Sequence, residues 1–319
     1  MTEPDDRSRI LLAHTALSRR SVLGLGASAL AMGLLRCSPK PPRALRISGS
    51  NTVYFFARDL AVAYAQTHRD VMFRITGDGT SRGIKFAGEG DIQGLAMDFT
   101  NRNKIEIPTR AGEVPHSRNG EPMDIGLSSR QLFRSETEAY SAMVATTFAY
   151  DGIAVVTHRG TTVPNLSLMQ LRQIYSGMIT NWSMVGGPSA PIVVIARDAL
   201  SGTAEAWGEL VMNGLPVMSQ MNVSMAADVP MAVASTPNSI AYLSLAQIDP
   251  AMMNPVSIEN VMPTVEQLSM GRYPIRRPFV FVTGGPPTVL QRDYIDFAFS
   301  PAGRAVIEAL EAVVAVRMT

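Results

Sequence analysis

Apolar and polar positions alternate between short apolar runs and stretches of helical spacing, beginning at Leu45. Residues 45–48 form a short apolar run closed by Gly49, which predicts a strand. Asn51 and Thr52 then cap a predicted helix, whose apolar positions Phe55, Leu60, Ala61 and Tyr64 recur near helical spacing. Residues 71–76 predict the next strand. The polar loop Gly77-Asp78-Gly79-Thr80-Ser81 follows, with a helix from about Arg82. This is a βαβ unit, and open α/β sheets hold their ligands in such loops at the strand ends.

The same unit is used again further on. Residues 151–156 read as a buried strand, 166–175 as a helix and 192–196 as a strand. That strand runs straight into Arg197-Asp198-Ala199-Leu200-Ser201-Gly202-Thr203 and a helix from Ala204. Residues 277–282 predict a further strand, with helices over 286–299 and 301–313. Between the two units, residues 86–122 break the pattern with Gly88-Glu89-Gly90, Pro108, Pro115 and Asn119-Gly120. They predict a long surface insertion.

The first 42 residues are of another kind. Ser18-Arg19-Arg20-Ser21-Val22-Leu23 places paired arginines before an apolar run over 22–35. Arg36 ends that run short of the roughly 20 residues a membrane-spanning helix needs. It predicts a twin-arginine export signal, the alternative being a buried N-terminal helix. Leu34-Leu35-Arg36-Cys37 resembles a bacterial lipoprotein cleavage site, which makes Cys37 a candidate for lipidation. Arg36 stands where a small residue is expected, so Cys37 as a spectator thiol is the other reading.

Composition narrows the function. A chain of 319 residues can bury a large core and divide into two lobes. With 28 basic against 27 acidic side chains, no overall field favours nucleic acid or an acidic membrane, so any anion recognition must be local. An aromatic content of 7% argues against base-stacking platforms. Cys37 is the one cysteine, which allows neither an internal disulfide nor a thiolate metal site.

Three hydroxyl-rich clusters stand where strands give way to helices: Ser48-Gly49-Ser50-Asn51-Thr52, Gly79-Thr80-Ser81, and Arg197 with Ser201-Gly202-Thr203. Helix N-termini present unpaired N–H groups and partial positive charge, and so attract anions. Simple capping accounts for one oxygen per helix, whereas these loops supply several. Arg197 can offer a forked pair of charge-assisted bonds to an oxyanion, or pair with Asp198.

Gly79-Thr80-Ser81-Arg82-Gly83 also spells the G-x-S-x-G of a nucleophile elbow between strand and helix. A hydrolase of that design needs a later acid and then a histidine. Downstream of Ser81 stand only His116, inside the irregular segment, and His158. No Gly-Lys-Ser/Thr follows the glycines, and no histidine spacing suits zinc. His68 and His158 read as surface or strand-end residues.

Several segments together carry a family likeness. They are Ile47-Ser48-Gly49-Ser50-Asn51-Thr52-Val53, Gly77-Asp78-Gly79-Thr80-Ser81-Arg82-Gly83-Ile84-Lys85, Asp124-Ile125-Gly126-Leu127-Ser128-Ser129-Arg130 and Asp151-Gly152-Ile153-Ala154-Val155-Val156. Ser176-Gly177-Met178-Ile179-Thr180-Asn181-Trp182, Arg197 to Thr203, and Ser300-Pro301-Ala302-Gly303 continue it. In this order they resemble the phosphate-binding proteins of bacterial ABC transporters.

The resemblance implies the type 2 periplasmic binding protein fold, α/β, with the ligand in the cleft between two lobes. Lobe 1 would be 43–154 with 273–319, and lobe 2 would be 155–272. It implies phosphate as ligand, held by Ser50, Thr52, the N–H of Val53, Thr80, Ser81, Ser128, Ser129, Arg197, Ser201, Gly202 and Thr203. It further implies capture and delivery to permease subunits without chemistry, no cofactor or metal, a monomer, and an exported protein in the periplasm or lipid-anchored at the membrane. A sensor or adhesion-type protein of the same fold, or a hydrolase using Ser81, is the alternative.

Two departures stand out. Some members carry an aspartate where this chain has Ser129; it accepts the phosphate proton and so rejects sulfate. Asp98 could replace it if the insertion folds back. Leu200 stands where a glycine often precedes Ser-Gly-Thr.

Overall fold

The computed structural model describes residues 43–89, 104–107, 123–199 and 201–316. Strands β1 (Arg43–Gly49) and β2 (Val71–Gly77) pair in parallel, Arg43 opposite Val71. Helix α1 (Val53–Thr67) joins them and buries Val53, Phe56, Ala57, Leu60, Ala61 and Tyr64. These six fall at the i, i+3, i+4, i+7, i+8 and i+11 positions of one helical face, which lays α1 on the sheet. Phe55, expected on that face, is only partly buried at its edge.

Helix α2 (Thr80–Glu89) follows β2, and β3 (Lys104–Ile107) pairs antiparallel with β2. The end of α2 and all of β3 fall within residues 86–122, which the sequence pattern predicts as irregular. Phe86 and Ala87 are buried and continue the helical stripe of Gly83 and Ile84. Ile84 and Ala87 pack against Val280 and Val282, and that tertiary packing overrides the local glycines. The expectation for Asp98 falls outside the described residues, as do those for Arg19, Arg20, Cys37, His116 and Leu200.

Strand β4 (Ile125–Ser128) lies on the other side of β1, parallel to it. After α3 (Arg134–Ala139) comes β5 (Val144–His158), which is 15 residues long. It extends well beyond 151–156 because Thr146, Thr147 and Tyr150 interrupt the apolar run without breaking the strand.

Next come β6 (Asn165–Leu166), α4 (Leu168–Tyr175), β7 (Val193–Arg197) and α5 (Gly202–Trp207). The chain goes on through β8 (Met221–Val223), α6 (Val229–Ser235), β9 (Ser239–Ser244), β10 (Met253–Ile258) and α7 (Val265–Ser269). It closes with β11 (Arg276–Thr283), α8 (Val289–Phe297), α9 (Pro301–Ala309) and β12 (Val313–Val314). Helix α8 starts three residues later than its pattern suggested, because Thr288 caps it by accepting from the N–H of Gln291.

The strand order is β3-β2-β1-β4-β11-β5-β9-β7-β8. One core gathers α1, α8 and α9 with Phe148, Phe279 and Phe281. A second gathers Ile153, Trp182, Trp207, Tyr242 and Tyr273 around β5, β7 and β9, and a third covers the opposite face with Val156, Val233 and Leu243. β5 feeds Phe148 into the first core and Ile153 and Val155 into the second. The molecule is therefore a two-lobe α/β structure. Among the described residues, no helix is long and apolar enough to cross a membrane.

Candidate functional site

The polar loops predicted from sequence sit at the C-terminal ends of β1, β2, β4 and β7. Gly49 makes the first turn possible. Its φ is +142°, and a Cβ there would lie 2.3 Å from Leu127 O, the oxygen that accepts from the N–H of Ser50 at 2.9 Å. The chain then presents Ser50 and Thr52 at the start of α1. Thr52 occupies the N-cap but makes no side-chain cap bond. Ser50 Oγ instead accepts from the N–H groups of Thr52 and Val53, both at 3.3 Å.

Thr52 Oγ1, at the start of α1, meets Thr203 Oγ1, in the first turn of α5, at 3.2 Å. Ser201 caps α5 by accepting from the N–H of Thr203. Thr80 Oγ1 lies 3.3 Å from Ser129 Oγ and accepts from the Ser129 N–H at 3.3 Å. Gly202 packs onto this pair so closely that an added Cβ would fall 2.0 Å from Thr80 Oγ1 and 2.5 Å from Ser129 Oγ. Ser50, Thr52, Val53, Thr80, Ser129, Ser201, Gly202 and Thr203 thus come together. O–H···O bonds are commonly about 2.7–2.8 Å, so hydroxyl contacts of 3.2–3.3 Å are weak and readily exchanged for stronger ones.

Three predicted residues stand differently. Ser128 is fully buried, but its hydroxyl donates to Arg130 O and accepts from the Arg130 N–H, which ties its own turn. Ser81 donates to the Glu205 carboxylate of the other lobe, with Arg130 Nη2 at 3.4 Å. A carboxylate already held by a guanidinium is a poor general base, so these neighbours give Ser81 no means of activation. Arg197 directs Nε and Nη2 to the carbonyl oxygens of Val223 and Ser224, at 2.9 and 2.8 Å. It makes no ion pair with Asp198 or any other described residue, although it is only 6% exposed. Burial lowers its pKa to about 10, against the opposing pull of Asp198, so it is charged at neutral pH.

Sequence reasoning missed four charged residues. Arg277 bonds Asp151 Oδ2 through Nε and Nη2 at 2.9 and 2.8 Å, and Nη1 donates to Thr203 Oγ1 at 2.7 Å. The two are cross-strand partners on β11 and β5. Ser244 Oγ adds a bond to Asp151 Oδ1. Burial pushes the Asp151 carboxyl up and the Arg277 guanidinium down, and their mutual attraction opposes both shifts. The available signal was one charge at the edge of each apolar strand run.

Arg130 and Glu205 are the other two. Arg130 Nε reaches Glu205 across the lobes at 2.7 Å, its Nη atoms hold Glu136, and its guanidinium stacks 3.6 Å over the Phe133 ring. Burial works to lower its pKa, but the bonds to Glu136 and Glu205 outweigh that and hold it above its usual value. Replacing Glu205 with glutamine is expected to lower stability by about 1 kcal/mol, because Arg130 keeps Glu136 but loses a charge-assisted bond. Urea unfolding measures it, and an unchanged midpoint would mean that solvent already screens the pair. Among the described residues, no group of three or more His, Cys, Asp or Glu could hold a metal ion.

Comparison with known proteins matches residues 38–302 to a family described as PBP superfamily domain. The phosphate-binding protein PstS of Borreliella burgdorferi is 30% identical over 198 residues, which span 58% of this chain and 70% of that protein. Among solved structures, a putative phosphate ABC transporter substrate-binding protein with bound phosphate from Clostridium perfringens aligns with a TM-score of 0.70 at 30% identity. That alignment covers 86% of this chain and all (100%) of that one. An ABC-type phosphate transport receptor from Vibrio cholerae aligns with a TM-score of 0.65 at 25% identity, over 84% of this chain and 99% of that one.

Proposed function

The chain belongs to the PBP superfamily and, within it, to the phosphate-binding proteins of ABC transporters, and from that membership we propose that it captures inorganic phosphate between its lobes for delivery to a permease. The observation that carries this reading is Arg197, a buried cation without a carboxylate partner among the described residues. An isolated buried charge is costly, and a bound anion removes that cost. Two of its five N–H donors go to carbonyl oxygens that fix the guanidinium in place, and the other three remain for the ligand. Arg277 supplies no free charge, since Asp151 balances it, but it steadies Thr203.

The proposed ligand shell is Ser50, Thr52, the N–H of Val53, Thr80, Ser129, Ser201, Gly202 and Thr203 with Arg197. Ser81 and Ser128 stand at its border. These donors come from both lobes, so an oxyanion bonded to all of them favours the form in which the lobes meet. Binding then requires no covalent bond to be made or broken. Arg19 and Arg20 would direct export, with Cys37 as a lipid attachment point outside the cytoplasm, and acyl-mass analysis of the exported chain checks the latter.

Calorimetric titration with phosphate, sulfate and arsenate tests the reading. Binding of none of the three sinks it, and equal binding of phosphate and sulfate shows that Ser129 does not replace the proton-accepting aspartate. Arg197→Ala is expected to weaken phosphate by about tenfold or more. Unchanged affinity would make Arg197 purely structural.

A further inference from the structure

A cavity of about 240 Å³ lies beside the hydroxyl cluster, and Thr52 belongs to both. Its walls come from the two lobes: Thr52, Phe55 and Phe56 at the start of α1, and Ala227, Pro230 and Ala246 from the lobe that carries α6 and β9. Ser244 also borders it and links it back to the cluster, because Ser244 Oγ donates to Asp151 Oδ1 and Arg277 joins Asp151 to Thr203.

The chemistry of the cavity differs from that of the cluster. Its polar neighbours are engaged elsewhere: Ser244 with Asp151, Gln247 Nε2 with Ala226 O at 2.8 Å, and Arg58 with Asp59 at 2.6 Å. What remains is two phenylalanine rings, small apolar side chains and the Pro230 ring, a lining suited to an apolar group. Size sets the limit. An apolar cavity of about 150 Å³ takes a benzene ring, and pockets for drug-sized ligands begin at about 300 Å³. A single ring or a short alkyl chain fits.

We propose that the site also takes tetrahedral phosphoryl anions bearing one small apolar substituent, phosphonates or phosphate monoesters, with the phosphoryl oxygens on the hydroxyl cluster and the substituent passing Thr52 into this cavity. The proposal rests on the phosphate reading above and extends it. Replacing one oxygen by carbon or an ester leaves three oxygens for Arg197 and the donors of both lobes. The substituent then gains apolar burial against Phe55 and Phe56.

Phenylphosphonate and inorganic phosphate, titrated by calorimetry into the full chain, test it, together with Ala246→Phe and Ala227→Phe. Both alanines are exposed at the rim, so the larger side chain fills the cavity without entering a packed core. The expected result is that phenylphosphonate binds within about tenfold of phosphate, and that either variant weakens it by about tenfold or more while phosphate changes by about twofold or less. The proposal is overturned if phosphate binds and phenylphosphonate does not, or if both variants leave phenylphosphonate unchanged. If neither ligand binds, the phosphate reading falls and takes this one with it.

Discussion

Gly202→Ala is expected to lower phosphate affinity by about a hundredfold, which is about 2.7 kcal/mol, while both lobes stay folded. The added methyl would stand 2.0 Å from Thr80 Oγ1, 2.5 Å from Ser129 Oγ and 2.7 Å from Thr80 Cβ. Neither residue can step aside. Thr80 and Ser129 are both fully buried, and Thr80 forms part of the first turn of α2. The lobes must instead remain apart by about an ångström or more, and a donor set divided between them is then never completed around one anion. Calorimetry gives the affinity. Small-angle scattering with and without phosphate shows whether the variant still draws its lobes together. Affinity within about threefold of the native protein would mean that the Gly202 contact is absent from the liganded form.

Asp151→Ala is expected to have the other large effect, a loss of about 3–5 kcal/mol of stability, because it strands the Arg277 guanidinium in an interior site. Arg277 and Asp151 are 1% and 0% exposed, and both lie in the strands that carry the chain between the two cores. Urea unfolding measures the loss. The double variant Asp151→Leu, Arg277→Met should recover most of it, since two apolar groups leave no charge to satisfy. It should nonetheless bind phosphate more weakly than the native chain, because Thr203 loses the donor that steadies it at 2.7 Å. A double variant no more stable than Asp151→Ala would show that the strands need that pair for their geometry.

What the sequence disclosed follows from how local each signal is. The helical period of α1 and the hydroxyl-rich turns at Ser50, Thr80 and Ser201 are written in consecutive residues, and periodicity and capping chemistry read them directly. Glu205 and Arg130 are 75 positions apart, and Asp151 and Arg277 are 126 apart. Only the folded sheet and the approach of the lobes bring them together, so no short window contains the pair. Phe86 and Ala87 were misjudged for a related reason. Their neighbours Gly88 and Gly90 signal a loop, whereas Val280 and Val282, far along the chain, pack against Ile84 and Ala87 and hold this stretch in a helix. The cavity beside Thr52 was equally hidden, since its lining draws on residues from Thr52 to Leu310.

The path of the chain through its two cores sets an order in time. The first core holds Leu45, Val53 and Phe73 from the beginning of the described chain, but also Phe279, Phe281, Tyr294 and Ile307 from its end. The second core is complete once Ile275 has been made. During N-to-C synthesis the later-starting half therefore has all its apolar partners first, while β1, β2 and α1 wait for β11, α8 and α9. Until then the faces of α1 that will meet Tyr294 and Phe279 are uncovered. Arg277 emerges after Asp151 and just before Phe279 and Tyr294, so neither the buried ion pair nor the last aromatic contacts of the first core can form until the final part of the described chain has been made.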